Sequence, residues 1–148
     1  LQWRTISFPD GVTSSASVLL PAPYDLTTGV LESVEVIVSS NDTSAGNYRL
    51  ALYCSTASNA SGYVTPEVSV TQTSAAGAQY VPTTLTFDFS PDLAFAKRDV
   101  LAIRLQTLGA DDADTNTDAM QLIGARVRYR SSGPTSAGSG TYVIPDWT

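Results

Sequence analysis

The densest group of side chains able to hold an ion is Gly109-Ala110-Asp111-Asp112-Ala113-Asp114-Thr115-Asn116-Thr117-Asp118. Asp112, Asp114, Asn116 and Asp118 recur at every second position. That is the spacing of the first four ligands of a calcium loop, and carboxylate and amide oxygens suit a hard cation. Two positions depart from the pattern. Thr117 stands where the sharp turn calls for glycine, and Ile123 where the closing bidentate glutamate would fall. The expected form is a solvated hairpin loop whose Asp and Asn side chains bond their own backbone. Calcium is the lesser reading, and no cofactor is expected.

Other reactive chemistry is thinly supplied. The chain has no histidine, which removes Ser-His and Cys-His dyads, imidazole zinc sites and the commonest general base. Glu32, Glu35 and Glu67 are its only glutamates. Spaced three apart, Glu32 and Glu35 are expected on opposite faces of one strand, so no acid pair for glycoside hydrolysis can be placed across a cleft. Cys54 is the single cysteine; it excludes an intrachain disulfide and is expected to be a buried thiol packed like a small hydrophobe. Arg126, Arg128 and Arg130 line one face of a strand and are expected to pair with acids on a neighbouring strand or subunit. Trp3, Trp147 and the seven tyrosines could stack on sugars, although aromatics near chain ends serve more often as packing anchors. The chain is not expected to be an enzyme.

The elements that must position these residues follow a period of two. Val34, Val36 and Val38 share one parity; so do Tyr48, Leu50, Leu52 and Cys54, and Leu85, Phe87 and Phe89. Leu101, Ile103 and Leu105 form a fourth such run, and Ile123, Ala125, Val127 and Tyr129 a fifth. Each predicts a strand with one dry face. Shorter strands are expected at Trp3–Phe8, Ser14–Leu20 and Val64–Gln72, about eight in all. Phe8-Pro9-Asp10-Gly11, Leu20-Pro21-Ala22-Pro23, Ser44-Ala45-Gly46-Asn47 and Ser90-Pro91-Asp92 separate them as turns. No sustained 3.6-residue pattern occurs, and the expected fold is all-β, an antiparallel two-sheet β-sandwich.

Composition narrows the partners. The chain of 148 residues carries Lys+Arg 8 against Asp+Glu 14, a net charge of −6, so nucleic acid is not an expected partner. No run approaches the ~20 apolar residues of a membrane-spanning helix, and no membrane is expected either. One sandwich domain is expected over 1–130. Residues 131–148 read as a Ser/Gly-rich linker, Ser131 to Gly140, followed by an apolar tail that includes Tyr142, Val143, Ile144 and Trp147.

Several signatures follow one another in order. They are Ile6-Ser7-Phe8-Pro9; a Ser/Thr run ending in Leu19-Leu20-Pro21 with Tyr24-Asp25; a Val-rich strand turning into Tyr48–Tyr53; Phe87-Asp88-Phe89 with Ser90-Pro91; Asp99-Val100-Leu101-Ala102-Ile103-Arg104-Leu105; and Leu122-Ile123-Gly124-Ala125-Arg126-Val127-Arg128-Tyr129. From Thr5 to Arg130 this succession resembles small jelly-roll-like β-sandwich virion proteins of tailed bacteriophages. The resemblance implies a non-enzymatic structural protein on the external surface of the phage particle, with a capsid decoration (cement) protein as the leading expectation. Its implied partners are other virion proteins, the major capsid protein or tail components, and further copies of itself in a homo-oligomer such as a trimer. The alternative is a tail-fibre or receptor-binding module that recognises host surface glycans. The segments expected to grip a partner are the chain ends, through Leu1, Trp3, Tyr142, Val143, Ile144 and Trp147.

Overall fold

A computed structural model describes residues 5–21, 28–41, 46–58, 62–75, 78–96, 99–117, 119–132 and 138–144. Its elements are nine strands, one more than the sequence pattern suggests: β1 (Ile6–Phe8), β2 (Thr13–Pro21), β3 (Thr28–Ser40), β4 (Asn47–Ser58), β5 (Gly62–Ala75), β6 (Thr83–Ala96), β7 (Val100–Leu108), β8 (Met120–Ser132) and β9 (Gly138–Ile144). They form two antiparallel sheets. One runs β1-β8-β3-β6 with β9 also on β8, and the other runs β2-β7-β4-β5. The first eight strands therefore pair first with eighth, second with seventh, third with sixth and fourth with fifth. That nesting is the pattern of one long hairpin rolled up around a core. The chain is an all-β, two-sheet antiparallel sandwich.

Alternation builds the core. Val34, Val36 and Val38 of β3, Leu50, Leu52 and Cys54 of β4, Phe87 of β6 and Ile103 and Leu105 of β7 are buried in one cluster with Phe8, Leu31 and Met120. Each such side chain contributes about 1.5–3 kcal/mol by leaving water. Cys54 is a buried thiol, in no disulfide, within this cluster, as its parity predicts.

The departures from simple alternation sit at bulges. In β5, Cys54 pairs Val68 while Thr56 pairs Val64, so Thr65-Pro66-Glu67 bulges opposite Ser55. In β6, Ser33 pairs Asp88 while Leu31 pairs Leu93, so Ser90-Pro91-Asp92 lies within a bulge. The second of these was expected to be a turn between strands. Both prolines fall in edge strands, where the missing N–H leaves no interior ladder bond unmade. The same irregularity lies between Leu31 and Ser33 in the β3–β8 pairing, and it reverses the expected divergence of Glu32 and Glu35. Both now face arginines of β8: Glu35 Oε2 lies 3.1 Å from Arg126 Nε, and Glu32 Oε1 3.5 Å from Arg130 Nε. Arg126 and Arg130 thus meet acids on the neighbouring strand, as expected, while Arg128 is exposed and pairs with Ser33 in the strand register.

A third bulge changes β8. Ile37 pairs Gly124 and Val38 pairs Leu122, which leaves Ile123 as the extra residue. On its N-terminal side Met120 and Leu122 point into the core, and beyond it Ala125 and Val127 do. Ile123, expected inside with Ala125 and Val127, is only half-buried.

Of the segment 131–148, Ser131 and Ser132 end β8 and Gly138–Ile144 forms β9. Within the expected linker and tail, 133–137 and 145–148 lie outside the described residues, and Gly138–Ile144 is thus a strand on the sandwich. The cause is the shortness of β1: its three residues pair only Met120, Gln121 and Leu122, and the remainder of that edge of β8 is open to β9.

Candidate functional site

The Asp-rich loop closes one end of the sandwich. Asp111 Oδ1 accepts from the Ala113 N–H at 2.9 Å, and Asp114 Oδ2 accepts from the Arg49 N–H at 3.0 Å. Thr115 Oγ1 accepts from the Asn47 N–H at 3.0 Å, and the Asn47 carbonyl accepts from the N–H groups of Thr115 and Asn116 at 3.0 and 3.1 Å. The loop is thereby stitched to the start of β4. Asp112 is exposed, Asn116 is buried, and Asp118 lies outside the described residues. The carboxylates with located bonds serve backbone N–H groups, the turn-forming role that competes with calcium ligation. Among the described residues no group of three or more His, Cys, Asp or Glu could hold a metal ion.

Burial raises the Asp114 carboxyl above the usual aspartate range. Bonds from the backbone of Arg49 and Asn116 oppose that shift, and the charges of Asp10 and Asp111 reinforce it.

The residues expected to grip a partner divide. Leu1, Trp3 and Trp147 lie outside the described residues. Tyr142, Val143 and Ile144 are in β9, with backbones paired to Val127, Arg126 and Ala125. β3 occupies one side of β8 along its length, so β1 and β9 share the other, and both run antiparallel to it. β1 begins at Ile6, opposite Leu122, and β9 ends at Ile144, opposite Ala125. At ~3.4 Å per residue these points are about 10 Å apart along β8. The first strand and the last thus meet head to tail at Ile123 and Gly124, on one edge.

A groove of about 570 Å³ lies beside this junction, lined by Thr5, Ser39, Asn41, Tyr80, Pro82, Gln121 and Ile123. The bulge supplies Ile123. Gln121 is oriented from two sides: its Oε1 accepts from Thr5 Oγ1 at 2.9 Å and its Nε2 donates to Ser7 Oγ at 3.0 Å. The opposite wall is the turn before β6. It is pinned to the end of β3 by Tyr80 N–H to the Ser40 carbonyl (3.0 Å) and by Gln79 Nε2 to the Asn41 carbonyl (3.0 Å). Tyr80 holds φ of 57°, the one non-glycine residue with positive φ among those described, and is 64% exposed. A bulky residue there is a backbone outlier.

These groove residues escape sequence reasoning, which places Tyr80 and Pro82 in no strand and turns Ile123 toward the core. Two weak signals exist: an aromatic beside Val81-Pro82 in a loop, and Gly124 inside a strand pattern, a mark of a bulge.

Compared with protein-family models and with curated proteins, the chain matches none.

Proposed function

We propose that this chain is a non-enzymatic structural protein of a tailed-bacteriophage particle, a capsid decoration protein on the external surface that binds the major capsid protein and associates with copies of itself. The observation that carries this reading is the meeting of β1 and β9 on one edge of β8. Segments 1–4 and 145–148 continue the chain from these two strand ends, and Leu1, Trp3 and Trp147 in them are the residues proposed to contact the partner. Aromatic anchors suit a contact, because binding energy concentrates in a few large side chains. The nested pairing of eight strands is compatible with a jelly-roll winding, an architecture shared by viral capsid and lectin domains, and this supports the reading. Fold alone does not fix function; the terminal junction is what supports the reading.

The experiment is attachment to expanded empty phage heads that lack their decoration protein, imaged with labelled chain. The intact protein is expected to decorate heads. A Trp3→Ala/Trp147→Ala double variant, with the melting temperature of the parent, is expected to remain in solution. Label on tails alone, or decoration undiminished in the double variant, would refute the proposal.

A further inference from the structure

The groove beside the β1–β9 junction has a chemistry that structural attachment does not use. We infer that it is a binding site for a neutral saccharide, with Tyr80 as the platform for one pyranose ring. The inference stands independently of the capsid reading and gives glycan recognition a definite location.

The lining decides the ligand class. Among the described residues the lining, Thr5, Ser39, Asn41, Tyr80, Pro82, Gln121 and Ile123, includes no ionisable acid or base apart from the phenol, so none of these selects a phosphate, a carboxylate or an amine. What remains is two primary amides, two hydroxyls, one exposed aromatic ring and two apolar side chains. Amides and hydroxyls both donate and accept, as the vicinal hydroxyls of a sugar do. The ring with Pro82 and Ile123 supplies an apolar surface for the C–H face of a pyranose. A few placed polar groups among apolar ones, in a cleft of this size, is the usual make-up of a small-ligand site.

Two backbone irregularities aim at this one groove from unrelated segments. The β8 bulge brings Ile123 to it, and bulges commonly re-aim a side chain beside a functional site. Tyr80 keeps a left-handed backbone at φ 57°, with its carrier turn held by bonds to Ser40 and Asn41 and by Val81 N–H to the Ala78 carbonyl at 3.0 Å. Strain of this kind persists where surrounding structure enforces it and clusters at ligand sites. The side chain so displayed is exposed, so core packing does not account for it. Gln121, fixed between Thr5 and Ser7, retains one amide N–H beyond its bond to Ser7. The site is organised before a ligand arrives, which lowers the ordering cost of binding.

The test is a titration of the intact chain with lactose, maltotriose and mannotriose, and an array of neutral and sialylated glycans, alongside Tyr80→Gly and Gln121→Ala. Glycine accepts positive φ without penalty, so Tyr80→Gly is expected to keep the parent melting temperature or exceed it. The expected result is saturable binding to at least one neutral glycan, weakened about tenfold or more in each variant, while both variants still attach to phage heads. Binding confined to sialylated glycans, binding unchanged in Tyr80→Gly, or no binding across the array would overturn the inference. Attachment to heads is read separately, so failure of the saccharide site and failure of the capsid proposal are distinguishable.

Discussion

At Asp114 a half-buried carboxyl is held in place by the backbone N–H groups it serves, and burial nevertheless lifts its pKa above the ordinary 3.8. The folded chain therefore keeps this proton to higher pH than the unfolded chain does. In the interval above 3.8 the folded state binds more protons, so stability falls as pH rises and the loss is complete above the folded pKa. Asp114→Asn leaves a carbonyl oxygen for the Arg49 N–H and removes the charge that faces Asp10 and Asp111. The variant is expected to melt higher than the parent at pH 7, with the difference shrinking toward pH 3 in a series of thermal scans. A parent that gains on the variant as pH rises would contradict the assignment. Residues such as Cys54 and Val36 were legible because strict alternation states which side of a strand is dry. Ile123 and Glu32 were not, because one extra residue at a bulge exchanges the faces and the sequence does not mark which residue is extra. The role of Asp114 was half legible: its type predicts a turn-forming carboxylate, but its partner lies 65 positions away, at Arg49.

At the scale of elements, the loop 109–117 and the start of β4 approach more closely than a side chain allows. A Cβ at Gly46 would lie 2.6 Å from the Thr115 carbonyl oxygen and 2.7 Å from the Asn116 Cα. Both are backbone atoms and cannot swing aside. Gly46→Ala is thus expected to push the loop off β4, strain its two backbone bonds and the Thr115 hydroxyl bond to Asn47, and cost about 1–3 kcal/mol. Chemical denaturation reads that loss, and hydrogen exchange should accelerate first at Thr115 and Asn116; an unchanged midpoint would mean the approach is looser than drawn. Gly46 reads in the sequence as an ordinary turn residue, since close approach of a distant loop leaves no local trace. Strand positions were legible where hydrophobic alternation is strong, as in β4 and β7. The proline-bearing runs were not: Ser90-Pro91-Asp92 carries a turn signal, yet β6 absorbs it as a bulge because an edge strand needs its ladder bonds on one side only. β9 was hidden for a different reason. Its Gly/Ser start has linker composition, and only the open edge beside the short β1 makes a strand of it.

For the whole molecule the governing fact is which edges remain exposed to another chain. The two sheets end in β1 with β9, in β6, in β2 and in β5. β1 is three residues long, β9 opens on glycines, and β5 and β6 each carry a proline within a bulge. These are the usual devices that keep an edge from recruiting a partner strand. β2 has none of them along its length, its one proline, Pro21, being its last residue. Its nine residues pair β7 in unbroken register from Thr13 to Pro21, hold no charged side chain, and display Leu19 at 58% exposure. A chain of net charge −6 repels its own copies over most of its surface, and at this neutral edge the repulsion is least. On the proposed self-association, β2 is the edge expected to meet a second copy, strand to strand and antiparallel, joining two four-stranded sheets about a two-fold axis. That geometry predicts a dimer in sedimentation equilibrium, where the virion resemblance implies a trimer. Leu19→Lys places a charge of each copy against the other and uses the residue type with which natural edges are most often guarded. It is expected to leave the melting curve at low concentration nearly unchanged, because the side chain is exposed, and to shift the association at least tenfold toward monomer. A trimer that survives Leu19→Lys would locate the self-contact on another edge.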